Sequence, residues 1–417
     1  MVYLFIHQSF PGQYRHVVRH LASKRGNEVH FISLPGNPPG FDKSGIKRHT
    51  YTKPPRGSAF NGHPLTFDLD EAIRTGAIVA DLCRKLRDQG LRPDLIVGHG
   101  GWGETLFVKE IFPEAPVLTY FEFYYHATGA DVDFDPEFVS LFHGPEKIRA
   151  RNGTNLLAFD ATDWGNAPTQ WQRSLMPPEL RSRVTVLHEG VDTRVVRPDA
   201  RATFAVNKKL ELARRDEVIT YVARNLEPYR GFHVFMRALP EILKRRPNAH
   251  VLVVGGNDIV YGPPMVPGKT HKQQMLDELG DRIDHSRVHF LGQLPYDRYL
   301  QLLQVSSAHV YLTYPFILSW SFIEAMAAGC LIMGSSTPPV MEVLQDRVNG
   351  LAVDFFSPEQ IAERVDEVFS HRDRMQKLRD AARRTAVEKF DLKTHILPRW
   401  QKLFDDLTAG RAPELDP

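Results

Sequence analysis

Val2-Tyr3-Leu4-Phe5-Ile6-His7-Gln8-Ser9-Phe10-Pro11-Gly12 is the stretch on which the fold class turns. The apolar run Val2–Ile6 stops at His7 and gives way to turn-forming residues, as a buried strand entering a loop does. Tyr14, Val17, Val18, Leu21 and Ala22 then recur at i, i+3, i+4, i+7 and i+8, one face of a helix. Lys24-Arg25-Gly26 supplies a basic last turn and a stop, and Val29–Leu34 is the next strand. Strand, helix and strand in such quick succession predict a βαβ start and a parallel sheet. With no basic segment before it, the same apolar run does not read as a signal peptide.

The alternation continues outward from there. Ala72–Leu91 and Gly103–Phe112 read as helices, and Asp94–Val97, Pro116–Phe121 and Val184–Leu187 as strands. Thr193–Arg215, charged and interrupted by Pro198, reads as a connection. Beyond it, strands are predicted at Val218–Val222, His250–Val254, Val288–Leu291, Ala308–Leu312 and Leu331–Met333. Helices at Phe232–Arg246, Lys272–Leu279, Asp297–Val305 and Phe322–Ala328 alternate with them. Two successive α/β halves fit this pattern better than a closed barrel, which needs evenly spaced units.

The 417 residues carry 52 Lys+Arg against 50 Asp+Glu, a formal net charge of +2. That balance lacks the electrostatic footprint of a nucleic-acid binder. No apolar run approaches the ~18 residues of a membrane span. Cys83 and Cys330 build no disulfide framework and no CxxC zinc pair, so a reducing cytoplasm is the simplest setting. The charge is uneven, however. Residues 1–56 hold nine basic side chains (Arg15, Arg19, Lys24, Arg25, Lys43, Lys47, Arg48, Lys53, Arg56) against Glu28 and Asp42. This edge reads either as a solvated helix face and basic loop, or as a contact for an anionic ligand or an acidic membrane face.

Open parallel sheets bind ligands beyond the carboxyl ends of their strands and against helix N-termini. Gly12 stands at such a place, where it either lets the backbone approach a ligand or simply makes a turn. In Tyr221-Val222-Ala223-Arg224-Asn225-Leu226-Glu227-Pro228-Tyr229-Arg230-Gly231, one arginine follows a strand and the other precedes a helix. Two such guanidiniums can clamp a diphosphate, or can be ordinary exposed arginines. In Tyr314-Pro315-Phe316-Ile317-Leu318-Ser319-Trp320-Ser321-Phe322-Ile323-Glu324, the N–H groups near Ser319–Phe322 open a helix and suit an anion. Glu324, expected in the first turn, can accept hydrogen bonds from a ribose diol, although Ser321-x-x-Glu324 is also the spacing of a capping box. Asp131-Val132-Asp133-Phe134-Asp135-Pro136-Glu137 has the look of a metal loop, but Pro136 stands where a calcium loop needs glycine. His16 and His20, at i, i+4 with no third ligand, read as surface or cleft histidines.

Taken in order, several of these segments resemble the family 4 retaining glycosyltransferases, the glycosyl transferases group 1. The resemblance rests on Phe10-Pro11-Gly12, His188-Glu189-Gly190-Val191-Asp192 with Arg197-Pro198, Arg224 with Arg230-Gly231, and Val254-Gly255-Gly256. It continues through Val288-His289-Phe290-Leu291-Gly292, Glu324-Ala325-Met326-Ala327-Ala328-Gly329, and Glu342-Val343 with Asn349-Gly350, and so spans nearly the whole chain. It implies an α/β fold of the GT-B type, two facing Rossmann-like domains with a cleft between them. The acceptor domain would be residues 1–200 and the nucleotide-sugar donor domain 201–394, with a C-terminal helix at about 395–417 packing back on the first.

The implied activity is transfer of a hexosyl group from a UDP- or GDP-linked sugar to an acceptor hydroxyl, without a metal or other cofactor. A nucleotide-sugar epimerase, a sugar phosphorylase and a non-catalytic nucleotide-sugar-binding subunit are the alternatives. By the resemblance, Arg224 and Arg230 bind the diphosphate and Glu324 the ribose. Gly12, Gly255, Leu291, Leu318, Ser319, Trp320 and Ser321 complete the donor side. Glu122 is the expected polar group facing the acceptor, with His126 second, and His99 and Trp102 line the acceptor side. The family's first of two glutamates is replaced here by Phe316, so contacts to the donor sugar differ, and its lysine by Arg230, shifted by one residue. The expected partners are the donor and a hydroxyl acceptor, with no nucleic acid. The expected location is cytoplasmic, the basic 1–56 segment permitting contact with the inner membrane face.

Overall fold

The computed structural model describes residues 1–36, 38, 40, 41, 45–58, 60–139, 144–261 and 268–415. Its first sheet is built from β1 (Val2–Ile6), β2 (Glu28–Ser33), β3 (Lys47–Thr50), β4 (Leu95–His99), β5 (Val117–Tyr120), β6 (Trp164–Ala167) and β7 (Val184–Val186). All pair in parallel, in the order β3-β2-β1-β4-β5-β6-β7. The continuous apolar run of β1 follows from burial on both faces. Tyr3 and Phe5 pack with Val17, Val18 and Leu21, whereas Leu4 and Ile6 pack with Val79, Ala80 and Cys83 of the helix Phe67–Asp88. The helix Leu397–Thr408 brings Trp400, Leu403, Phe404 and Leu407 into the Tyr3/Phe5 layer. Each large side chain buried this way contributes about 1.5–3 kcal/mol.

Farther along the chain, β8 (Thr203–Ala205) and β9 (Glu211–Ala213) form an antiparallel pair. The second parallel sheet contains β10 (Val218–Asn225), β11 (His250–Gly256), β12 (Val288–Phe290), β13 (Ala308–Tyr311), β14 (Ile332–Ser335) and β15 (Leu351–Val353), in the order β12-β11-β10-β13-β14-β15. The chain thus divides into two compact units. One comprises Met1–Ala127, Leu141–Gly190 and Leu392–Pro417, the other Thr128–Ser140 and Val191–Asp391.

Three expectations need correction. Gly103–Phe112 is a run of turns, not a helix, with i→i+3 bonds such as Leu106 N–H to Gly103 O and Val108 N–H to Thr105 O. Gly103 has φ +98°, and a Cβ there would lie 2.1 Å from Ala72 O, so the chain enters this stretch in a shape that no other residue could take cheaply. Thr193–Arg215 is not a bare connection, because Phe204 and Leu212 of the β8–β9 pair are buried in the second unit's core.

The 1–200/201–394 division also shifts, to Gly190/Val191 and Asp391/Leu392, and residues 128–140 count with the second unit. Their carboxylates explain why. Tyr229 donates to Asp131 (3.0 Å), Tyr314 to Asp135 (2.9 Å), and Arg237 grips Glu137 through both terminal nitrogens (2.6 and 2.8 Å). His233 Nε2 stands 3.0 Å from Asp135 Oδ2, with both side chains buried. The acidic run that resembled a metal loop is a strap within the second unit.

Part of the basic 1–56 edge is engaged by the protein itself. Arg19 lies over the Phe41 ring (3.8 Å) and Arg48 over Phe10 (4.2 Å), while Lys47 pairs with Glu28 and Arg56 with Asp68. Lys43 and Asp42 lie outside the described residues. Among the described residues, no helix is long and apolar enough to cross a membrane.

Candidate functional site

In the second unit, β10 ends at Arg224-Asn225, with Arg224 exposed. The following turn, Pro228–Arg230, ends at Gly231, whose φ is +63° and whose Cβ would come within 2.5 Å of Leu312 Cβ. That tight approach draws Arg230 inward to 7% exposure. Its Nη1 donates to Thr313 Oγ1 (2.8 Å) and the Ile317 carbonyl (2.9 Å), with Tyr311 Oη at 3.3 Å. All are neutral, and Arg230 forms no ion pair with a carboxylate among the described residues. A buried cation with only neutral partners keeps much of its desolvation cost.

The helix Trp320–Ala327 begins beside this arginine. The Ser319 N–H donates to the same Tyr311 oxygen (2.8 Å), so one tyrosine joins Arg230 to the helix start. Tyr311, at the carboxyl end of β13, was not expected from the sequence. Its place at a strand end was the available signal.

Glu324 falls beyond the helix's first turn, and no side-chain cap forms at Ser319. Instead of closing a capping box, its carboxylate accepts from Tyr296 (2.7 Å) and Tyr299 (3.0 Å). Leu318 is buried in the core and Leu291 packs against that core, whereas Trp320 is exposed and Ser321 half-buried. Gly255 has a packing reason, since a Cβ would meet Leu226 at 2.8 Å. The Phe316 ring lies against Tyr229 (5.5 Å) and Tyr261 (5.1 Å).

The first unit gathers a second constellation. His7 follows β1, His99 ends β4 and Glu122 lies just past β5, all at the carboxyl edge of one sheet where its strand order reverses. His99 stacks on Trp102 (3.7 Å between ring centroids), and its Nε2 is 3.5 Å from Glu122 Oε2. Gln13 donates to Glu122 Oε1 (3.2 Å). Burial opposes the Glu122 charge, but His99, His7 and Gln13 outweigh it and hold the carboxyl below its usual range. Burial, reinforced by His99, pushes His7 down to about 3, so that ring is neutral. His7 was read from the sequence only as the end of a strand.

His126 and Gly12 each have a contact of their own. His126 stands apart, its Nε2 donating to the Leu175 carbonyl (2.6 Å). Gly12, with φ +53°, packs on the His7 ring, where an added Cβ would be 2.5 Å from Cε1. Gly12→Ala should therefore displace the imidazole and lower stability by about 1–3 kcal/mol. Urea denaturation measures this, and an unchanged midpoint would show that the contact is soft.

Comparison with known proteins divides along the same two halves. Residues 25–196 match the model described as glycosyl transferase family 4 group, and residues 204–385 that of the glycosyl transferases group 1. Spore coat protein SA of Bacillus subtilis is 25% identical over 250 residues, covering 56% of this chain and 59% of that protein. A GDP-mannose-dependent alpha-(1-6)-phosphatidylinositol monomannoside mannosyltransferase of Mycobacterium tuberculosis is 28% identical over 202 residues, 45% of this chain and 47% of that one. The chain thus spans about half the length of these curated relatives. Anabaena HepE, solved with UDP-glucose, matches with a TM-score of 0.67 at 16% identity, covering 97% of this chain and 100% of that one. At that identity the likeness carries the fold, the GT-B architecture.

Proposed function

The chain belongs to the glycosyl transferases group 1 family, and on that premise we propose that it is a retaining, metal-independent glycosyltransferase. It takes a hexosyl group from a UDP- or GDP-linked donor and places it on an acceptor hydroxyl. The observation that carries the donor assignment is Arg230, a buried guanidinium with neutral partners only, joined through Tyr311 to a helix N-terminus. A diphosphate supplies the missing negative charge to both. The GDP-mannose dependence named for the mycobacterial relative and the UDP-glucose bound to the Anabaena protein support a nucleotide sugar of either base.

In this mechanism, Arg224, Arg230 and the helix start stabilise the diphosphate as the glycosidic C–O bond breaks and the sugar becomes oxocarbenium-like. A leaving phosphate oxygen takes the acceptor's proton as the new C–O bond forms on the same face. Calorimetric titration of the full chain with UDP, GDP, their monophosphates and the free nucleosides tests the donor site. One diphosphate should bind at least tenfold more tightly than its monophosphate, because charge-assisted bonds are lost with the second phosphate. Equal binding of the free nucleoside would overturn the assignment.

A further inference from the structure

Three imidazoles in the first unit are locked in the same way. The Ser9 N–H donates to His7 Nδ1 (2.8 Å), the Gly101 N–H to His99 Nδ1 (3.0 Å) and the Gly190 N–H to His188 Nδ1 (2.9 Å). An Nδ1 that accepts a backbone N–H leaves the neutral ring's proton on Nε2. His99 directs its Nε2 toward Glu122 and His188 toward Glu189, at 3.5 and 3.7 Å. His7, only 2% exposed, makes no well-formed hydrogen bond through Nε2 among the described residues, nor does His99, and the Gln13 side chain faces the His7 ring. A buried donor left unmade is costly, and such an atom in a native fold calls for a partner.

His7 is not alone at this edge. Glu104 Oε2 and Thr105 Oγ1, on the turns that follow β4, are also buried without a partner among the described residues. Burial holds the Glu104 carboxyl above its usual range. Glu122, ionised and about a quarter exposed (28%), and the half-exposed Gln13 are where this cluster meets the surface. The sheet order reverses between β1 and β4, the place where open parallel sheets take their ligands.

We infer that this edge is a binding site for a neutral hydroxyl group, which accepts a hydrogen bond from His7 Nε2–H and donates one to the Glu122 carboxylate. A hydroxyl can do both. A carboxylate cannot donate, a phosphate brings negative charge against Glu122 even where it keeps an O–H, and an ammonium group cannot accept from His7. Resting on the transferase reading, this hydroxyl belongs to the acceptor, which makes the acceptor a neutral polyol at this point and not an anionic head group.

The test uses the full chain labelled with 15N-histidine, the His7 signal being identified by its loss in His7→Asn. Glycerol, myo-inositol and methyl glucoside are titrated in turn, and inorganic phosphate at matched ionic strength. At least one polyol should shift the His7 Nε2 resonance saturably, and phosphate should leave it in place. Glu122→Gln should weaken that polyol about tenfold or more, as loss of a hydrogen bond to a charged group does. His7→Asn keeps an oxygen for the Ser9 N–H but loses the Nε2 donor, and should abolish binding. His7→Gln, whose amide nitrogen reaches the Nε2 position, should retain binding within a few-fold and covers the case in which the asparagine variant fails to fold. A His7 resonance unmoved by every polyol, as ordered water filling the place would leave it, overturns the inference. So does saturation by phosphate at lower concentration. Failure of the transferase reading appears separately, in the UDP and GDP titrations.

Discussion

Arg224→Ala should lower glycosyl transfer by about 100-fold or more while leaving the unfolding midpoint where it is. Arg224 is exposed at the end of β10, so truncating it opens no cavity and breaks no ion pair found among the described residues. Surface changes of that kind usually stay within about 0.5 kcal/mol of neutral. If it faces the diphosphate, its charge acts where negative charge develops, and removing one such group costs about 10²–10³ in rate. Arg230→Ala is a useful contrast, since loss of the bonds to Thr313 and Ile317 should lower both turnover and stability. Steady-state kinetics and a thermal melt on the two variants separate the effects. A full rate for Arg224→Ala would remove it from the donor site.

The largest effect on stability is expected from Asp135→Ala. Its carboxylate is 2% exposed and serves His233, the Tyr314 hydroxyl and the Glu137 amide together. Removing a buried carboxylate leaves the donors aimed at it unmatched, at about 1–3 kcal/mol for each buried group. Burial opposes the Asp135 charge, but His233, the Glu137 amide and Tyr314 outweigh it and hold the folded carboxyl below its usual range. The unfolded chain binds this proton first, so the stabilisation is present above the unfolded aspartate pKa of about 3.9 and is lost as pH falls toward the folded value. Urea denaturation should therefore show a large wild-type advantage at neutral pH that shrinks in acid. An advantage independent of pH would mean that Asp135 acts through packing alone.

These predictions also mark what was legible in the chain. β1 was readable because Tyr3 and Phe5 face one buried layer while Leu4 and Ile6 face the other, which leaves a continuous apolar run. Arg224, Arg230 and Ser319 could be placed at a strand end and helix starts because those positions are written in local pattern. Gly103–Phe112 was misread as a helix because Leu106, Val108, Ile111 and Phe112 are buried, while the approach of Gly103 to Ala72 is a tertiary fact.

The acidic run from Asp131 was illegible for a similar reason. Its partners Tyr229, His233, Arg237 and Tyr314 lie about a hundred residues or more away, and no local rule joins them. His7 looked like punctuation after a strand. Its meaning depends on the Ser9 amide, which fixes the ring's proton, and on a carboxylate delivered from β5.

Glycosyl transfer itself is tested by incubating the purified chain with a panel of UDP- and GDP-sugars and an extract of the source cell, and following the mixture by mass spectrometry. UDP or GDP should be released in a manner that depends on the extract, together with a product heavier than its acceptor by one hexosyl residue. Isomerised donor without transfer, or donor bound and recovered unchanged, would contradict it.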